Sequence, residues 1–274
     1  MSHIDQINFI KEFKEFYIKN SFNKDIDVLE IGSLDVNGNI RNLFNFSKEY
    51  VGIDLKEGPN VDLVLNGIDI DKLNKSFDII ISCECFEHAK DWKVIFEKMC
   101  QISKANSFII ISVASTGRVE HGTERSGNWQ SPGNKDDYYL NLTKRDFTKN
   151  FDLEKIFSNH FFFYNFNSYD LYFIGIRGFE QKSDILNDIA QKLEILFKRK
   201  KLRKILTYIY TIIIGENLRQ NIFFFKKKLI SKFKKKLFLK NYLFFYKIFH
   251  LLWNSIMHHF LSCIFSSFCV RIKF

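Results

Sequence analysis

The sequence predicts an α/β fold: a mostly parallel sheet of seven strands ending in an antiparallel hairpin, with a basic helical extension behind it. Three observations carry this. Short apolar runs of strand length recur at 26–32, 50–55, 61–65, 77–82 and 108–113, and most are nearly continuous, as in strands buried on both faces. Stretches with helical spacing lie between several of them, and that alternation gives a parallel sheet covered on both sides. Two closing runs, 153–164 and 169–176, are separated only by Asn165-Phe166-Asn167-Ser168. That turn is too short for a crossover helix, so one of the two strands runs antiparallel.

Each element has a local reason. Ile7, Ile10, Phe13, Phe16 and Tyr17 recur at helical spacing and predict an N-terminal helix that packs on the sheet and covers a ligand. The first strand ends at Gly32. A helix is expected from about Gly38, carrying Ile40, Leu43 and Phe44. Asp91 is placed to cap a helix through Trp92, Ile95, Phe96 and Met99, and Thr143 one that includes Phe147. Residues 115–136 fit no regular element, and a loop of that length inside a compact domain points to function or disorder.

Charge divides the chain. Residues 1–180 hold 21 Lys and Arg against 27 Asp and Glu, a net of −6, whereas residues 181–274 carry +16. This predicts two parts with different partners, 1–180 and 181–274. In the second, Ile185, Ile189, Leu193 and Leu196 share a helix face. Basic clusters follow at 198–204, 226–228 and 234–236, interleaved with phenylalanine. Such a segment suits an anionic membrane surface; no base-reading motif accompanies the charge, so nucleic acid is not the expected partner. Residues 248–270 lack Asp, Glu, Lys and Arg and are long enough to span a bilayer, but His250, His258, His259 and Asn254 weaken that reading. The N-terminus reads as no signal peptide, so a cytoplasmic protein, peripheral at the inner membrane face, with five free thiols is expected.

The chemistry concentrates at strand ends, where open α/β sheets bind ligands. Val28-Leu29-Glu30-Ile31-Gly32-Ser33 ends in a glycine that lets backbone approach a ligand, and Tyr50-Val51-Gly52-Ile53-Asp54 ends in an acid able to take both hydroxyls of a ribose. A nicotinamide cofactor would want closely spaced glycines under its pyrophosphate. Here five residues separate Gly32 from Gly38, and Asp35 would repel the phosphates. An adenosine with a cationic amino-acid end fits better. At this point residues 26–178 resemble a class I S-adenosylmethionine-dependent methyltransferase, a Rossmann-like fold. Val28 to Ser33 resembles the family's first motif, Asp54 its acid after the second strand, Phe77 to Ser82 with Glu87-His88 its fourth-strand segment, and Asp137-Tyr138-Tyr139 with Leu142-Thr143 a segment preceding a late helix. The second glycine of the first motif is replaced around Leu34-Asp35, and Lys104 to Ser107 stands where a glycine pair is common.

The resemblance implies S-adenosylmethionine held by Glu30, Gly32, Ser33, Gly38, Asp54, Leu55, Asn66, Gly67, Cys83 and Glu84. It implies methyl transfer to a small-molecule, sugar or lipid-linked acceptor. His88 is the candidate general base and His121 a second one. Arg118, Arg125, Trp129, Tyr138 and Tyr139 are candidate acceptor contacts. Cys83 and Cys85 with His88 lack a fourth ligand for structural zinc, so no metal is expected. A non-catalytic scaffold and a nucleotide-dependent oxidoreductase remain the alternatives.

Overall fold

The computed structural model describes residues 3–18, 25–178 and 202–236. Seven strands form one sheet in the order β3-β2-β1-β4-β5-β7-β6. They are β1 Asp27–Ile31, β2 Glu49–Asp54, β3 Leu63–Val64, β4 Phe77–Cys83, β5 Ser103–Ala114, β6 Asn159–Asn165 and β7 Asp170–Arg177. β1 to β5 pair in parallel; β7 runs antiparallel to both β5 and β6. The predicted fold class is thus the observed one, and the reversal of strand order between β1 and β4 sets the binding crevice.

Alternation along the strands sorts side chains onto two faces. On one face Val28, Ile79, Ile81, Phe108, Ile110, Tyr172 and Ile174 pack with Phe9, Ile10 and Phe13 of α1, Ile4–Phe13. On the other, Leu29, Ile31, Ile80, Ile109 and Ile111 pack with Trp92, Ile95, Phe96 and Met99 of α2, Trp92–Ile102. Phe147 of α3, Lys144–Asn150, joins the second cluster. The Thr143 amide donates to Asp146 Oδ2 at 2.8 Å and so fixes the start of α3. α4 is a single turn, Leu153–Ile156.

Three departures from the expected elements have physical causes. The helix expected after Gly38 is one 3-10 turn, Arg41–Phe44. Asp35 captures the Gly38 amide at 2.8 Å and the Asn39 side chain at 2.7 Å, and such local bonds compete with helix formation. β5 begins at Ser103 rather than 108, because its pairing with β4 shifts register between Phe77–Ser103 and Ile79–Phe108. The N-terminal helix ends at Phe13 and continues as a π-helical segment, Lys14–Ile18.

The chain divides into two compact units, Met1–Glu216 and Asn217–Phe274, beyond the change in charge at residue 180. The first includes α5, Leu202–Ile214. There Tyr208 packs against Tyr164 and Phe166, and Lys204 Nζ donates to the Asn167 carbonyl at 2.8 Å. The basic helix α6, Glu216–Lys236, supplies the described part of the second unit. No helix among the described residues is long and apolar enough to cross a membrane. The helix expected at 185–196 and the uncharged stretch 248–270 lie outside the described residues.

Candidate cofactor pocket and active site

A cavity of about 330 Å³ opens at the carboxyl ends of β1, β2, β3 and β4. Gly32, Asp54 and Leu55, Asn66 and Gly67, and Glu84 with Cys85 and His88 line it, one group from each strand end. Gly32 has a φ of +81°, and a Cβ there would lie 2.7 Å from Cys85 Cβ. Glycine at this point is therefore both a conformational and a packing requirement.

Asp54 is held by backbone. Its Oδ2 accepts from the Leu34 amide at 3.1 Å and its Oδ1 from the Lys56 amide at 3.2 Å. The carboxylate is thereby fixed at the cavity wall with acceptor capacity to spare, since each oxygen has two lone pairs. Asn66 Oδ1 caps the following turn by accepting from the Ile68 amide at 3.2 Å. A Cβ on Gly67 would meet Ile95 at 3.0 Å, so the chain passes close to α2 there.

Glu30, Ser33, Gly38 and Cys83 lie off the cavity wall. Glu30 is buried and accepts from the Tyr50 hydroxyl at 2.6 Å; burial pushes its pKa up to about 7. Ser33 is buried beside Gly52, and Gly38 closes the Asp35 turn. Cys83 belongs to the core under α1. Cys85 alone of the pair faces the cavity, and burial raises its thiol pKa to about 12.

The far end of the cavity is a buried polar cluster. Glu84, with a φ of +52°, accepts from Gln6 Nε2 of α1 at 2.6 Å. Its other oxygen lies 3.4 Å from Arg118 and 3.5 Å from His121 Nε2. Burial alone would raise the Glu84 pKa, but the Arg118 charge, with His121 beside it, outweighs burial and holds the carboxyl below its ordinary value. Arg118 also lies 3.5 Å from Asp170, which pairs with His3 at 2.7 Å. His88 and His121 meet edge to face at 4.9 Å, and both touch the ring of Tyr139. Burial, then His121, pushes the His88 pKa down to about 3. His88 is therefore neutral across ordinary pH, unlike the near-neutral titration that suggested a general base.

The loop places its candidates unevenly. Arg118 and Tyr139 join the buried cluster, and the Tyr139 hydroxyl donates to Asn141 at 2.7 Å. Tyr138 packs near the turn at Asn134, whose side chain donates to the Tyr138 carbonyl at 2.8 Å. Arg125 pairs with Glu120 at the surface, and Trp129 is 62% exposed. Sequence reasoning missed the segment Gln130 to Asp136, which walls the cavity and brings Gly133 against Asp54, although its Ser-Pro-Gly-Asn composition marks a turn. It also missed His3, Gln6 and Asp170, which carry no local signature.

A family model described as a methyltransferase domain matches residues 3–162, more than half the chain. No curated protein matches. Solved structures similar to the chain include the plantazolicin methyltransferase BamL, in complex with a triazolic desmethylPZN analog and SAH, at 20% identity. That match covers 73% of this chain and 80% of that one with a TM-score of 0.47. A Burkholderia thailandensis 1,6-didemethyltoxoflavin-N1-methyltransferase is 10% identical, covering 64% and 80%, with a TM-score of 0.43. With its seven-stranded, hairpin-closed sheet and this match, the chain belongs to the methyltransferase-domain family, of the class I S-adenosylmethionine-dependent type.

Proposed function

We propose that this protein transfers a methyl group from S-adenosylmethionine to a small-molecule, sugar or lipid-linked acceptor. The observation that carries the reading is Asp54, fixed by two backbone amides at the end of β2 and facing a cavity whose opposite lip is Gly32. Those residues fit the group: a carboxylate accepts two hydroxyl hydrogen bonds, and a glycine lets backbone approach. When bound, the cofactor supplies an electrophilic methyl group on a sulfonium.

The chain's own residues then do three things. Asp54 orients the ribose, with Leu55, Asn66 and Gly67 beside it for the base. Gly32 and Cys85 shape the passage towards β4. Glu84, fixed by Gln6, places negative charge at the far end, where a cationic amino-acid group is stabilised. Holding an acceptor in line with the methyl group supplies much of the rate by proximity. The +16 charge of residues 181–274 supports a peripheral position at an anionic membrane face, inside the cell.

Isothermal titration calorimetry of the full chain with S-adenosylhomocysteine tests the reading. Micromolar binding is expected, weakened at least about 100-fold in Asp54→Ala, the scale of two hydrogen bonds to a charged group. Folded protein that takes up no ligand, or an Asp54→Ala variant of normal affinity, sinks it.

A further inference from the structure

Three polar side chains converge behind the cavity, and each carries a buried atom with no hydrogen-bond partner among the described residues. Glu87 is fully buried; its Oε1 accepts from the Ala114 amide at 3.3 Å, but Oε2 has no hydrogen-bond partner among the described residues. Both ring nitrogens of His88 are buried and likewise unpartnered, as is Nε2 of His121, a residue only 9% exposed. Leaving such groups unsatisfied costs roughly 1–3 kcal/mol each, so an arrangement of three requires a reason.

We propose that Glu87, His88 and His121 form a binding site for a divalent transition-metal ion. Ligand atoms of the three lie within 4.8 Å of one another. An ion about 2.0–2.2 Å from each holds tetrahedral ligands about 3.4 Å apart, so the side chains need to close by up to about 1.4 Å. His121 Nε2 is 3.9 Å from Glu87 Oε1, the oxygen that also accepts from the Ala114 amide, and 3.5 Å from Glu84 Oε2. His121 Nδ1 lies 3.2 Å from the Val119 carbonyl, which only accepts. With the proton on Nδ1, Nε2 presents its lone pair to the cluster, as in histidine ligands oriented by an outer partner.

Charge points the same way. Glu84, Glu87 and Asp170 place three carboxylates in this interior, Arg118 faces Glu84 and Asp170, and His3 pairs with Asp170. Among the described residues, the basic side chain within ion-pair distance of Glu87 is His121. Two imidazoles with carboxylates and no thiolate suit manganese, cobalt or zinc better than calcium or magnesium. The cysteines are not part of the set: Cys83 lies in the core, and Cys85 packs on Gly32.

His88 and Glu84 also line the cavity, so the ion would sit where an acceptor oxygen must meet the methyl group. This role rests on the methyl-transfer reading. A hydroxyl bound to the ion ionises more readily and releases its proton to solvent. Its oxygen forms the new bond to the methyl carbon as the carbon–sulfur bond breaks, and that electron pair returns to sulfur, which becomes neutral. An alcohol or phenol is therefore the acceptor class this site takes.

Cobalt(II) titrated into the chelator-treated full chain, followed by visible absorbance, tests the site, with S-adenosylhomocysteine calorimetry run in parallel. One ion per chain is expected, bound at least about 100-fold more weakly in Glu87→Gln and in His121→Ala, while both variants keep their affinity for S-adenosylhomocysteine. That retained affinity shows the variants are folded; if Glu87→Gln fails to fold, His121→Asn on the outer loop carries the test. Wild-type protein that binds S-adenosylhomocysteine but no cobalt overturns the site and leaves the methyltransferase reading standing. Unaltered binding in the variants, or a thiolate charge-transfer band, also overturns it. Cobalt binding lost in both variants, without any binding of S-adenosylhomocysteine, supports the ion site and removes the cofactor reading instead.

Discussion

The two ends of the cavity hold their carboxylates by opposite means. At the cofactor end, Asp54 is fixed by the amides of Leu34 and Lys56, groups within the crossover it terminates and the loop of the neighbouring strand. At the far end, Glu84 and Asp170 are positioned by side chains drawn from distant segments: Gln6 and His3 from the N-terminal helix and its cap, Arg118 and His121 from the loop after β5. Backbone-held acids keep water and capacity for a ligand. Side-chain-held acids are desolvated and depend on their neighbours' charge. The first arrangement is built by strand geometry alone; the second requires the whole domain to be assembled.

The largest stability effect should come from buried acid. Glu30, under the same sheet face, is the cleanest probe because it lies away from the cavity and makes one defined bond, to Tyr50. The unfolded chain gives up this proton near 4.5, whereas burial keeps it on the folded protein up to about 7. Between those values the folded state binds more protons, so this residue's contribution to stability is greatest below 4.5 and falls as pH rises through 7. The loss amounts to about 3 kcal/mol. Thermal melts of Glu30→Gln from pH 4 to 8 should show that slope removed, since the amide keeps an acceptor for Tyr50 but does not titrate. An unchanged slope would show that the interior carries this charge without cost and would weaken the contrast between the two ends.

A smaller effect is expected where backbone shape, not charge, is at stake. Gly32→Ala forces a side chain into a left-handed conformation and sets its Cβ against Cys85 at 2.7 Å. Strain of this kind costs about 1–3 kcal/mol, visible as a lower midpoint in urea, and S-adenosylhomocysteine affinity should fall with it. Wild-type stability in this variant would mean that the β1 loop moves freely, and the cofactor end would then not be set by backbone after all.

What was legible in the sequence follows the same division. The strands and the strand-end residues Gly32, Asp54, Asn66 and Gly67 were readable because period-2 burial and a terminal glycine or acid are local signals, and all four reached the cavity wall. Glu30, Ser33, Gly38 and Cys83 were chosen by the same proximity in sequence, yet strand alternation and the Asp35 turn send them elsewhere. Gln6 and Asp170 were invisible, since 78 and 167 residues separate Gln6 from Glu84 and His3 from Asp170. The division by charge and the division by packing fall at different places. Charge changes sign near 180, but packing of Tyr208 and Lys204 on the β6–β7 turn keeps α5 in the first unit. Composition reports the solvent face of a segment, and contact reports the buried one.

The loop between β5 and α3 provides the control. Arg118 and Arg125 lie seven residues apart and looked alike as anion-binding candidates, but only Arg118 enters the buried cluster. Arg125 pairs with Glu120 at the surface, where water and salt screen the attraction and side-chain entropy opposes it. Arg125→Ala should change stability by less than about 0.5 kcal/mol and leave S-adenosylhomocysteine affinity unaltered. Chemical denaturation alongside calorimetry measures both. A loss above 1 kcal/mol would show that the outer loop is held by its ion pair and that the buried cluster depends on it, because His121 lies on the same stretch of chain. A null result would place the organising charge of this loop at Arg118 and confine the second end of the cavity to groups already out of contact with water.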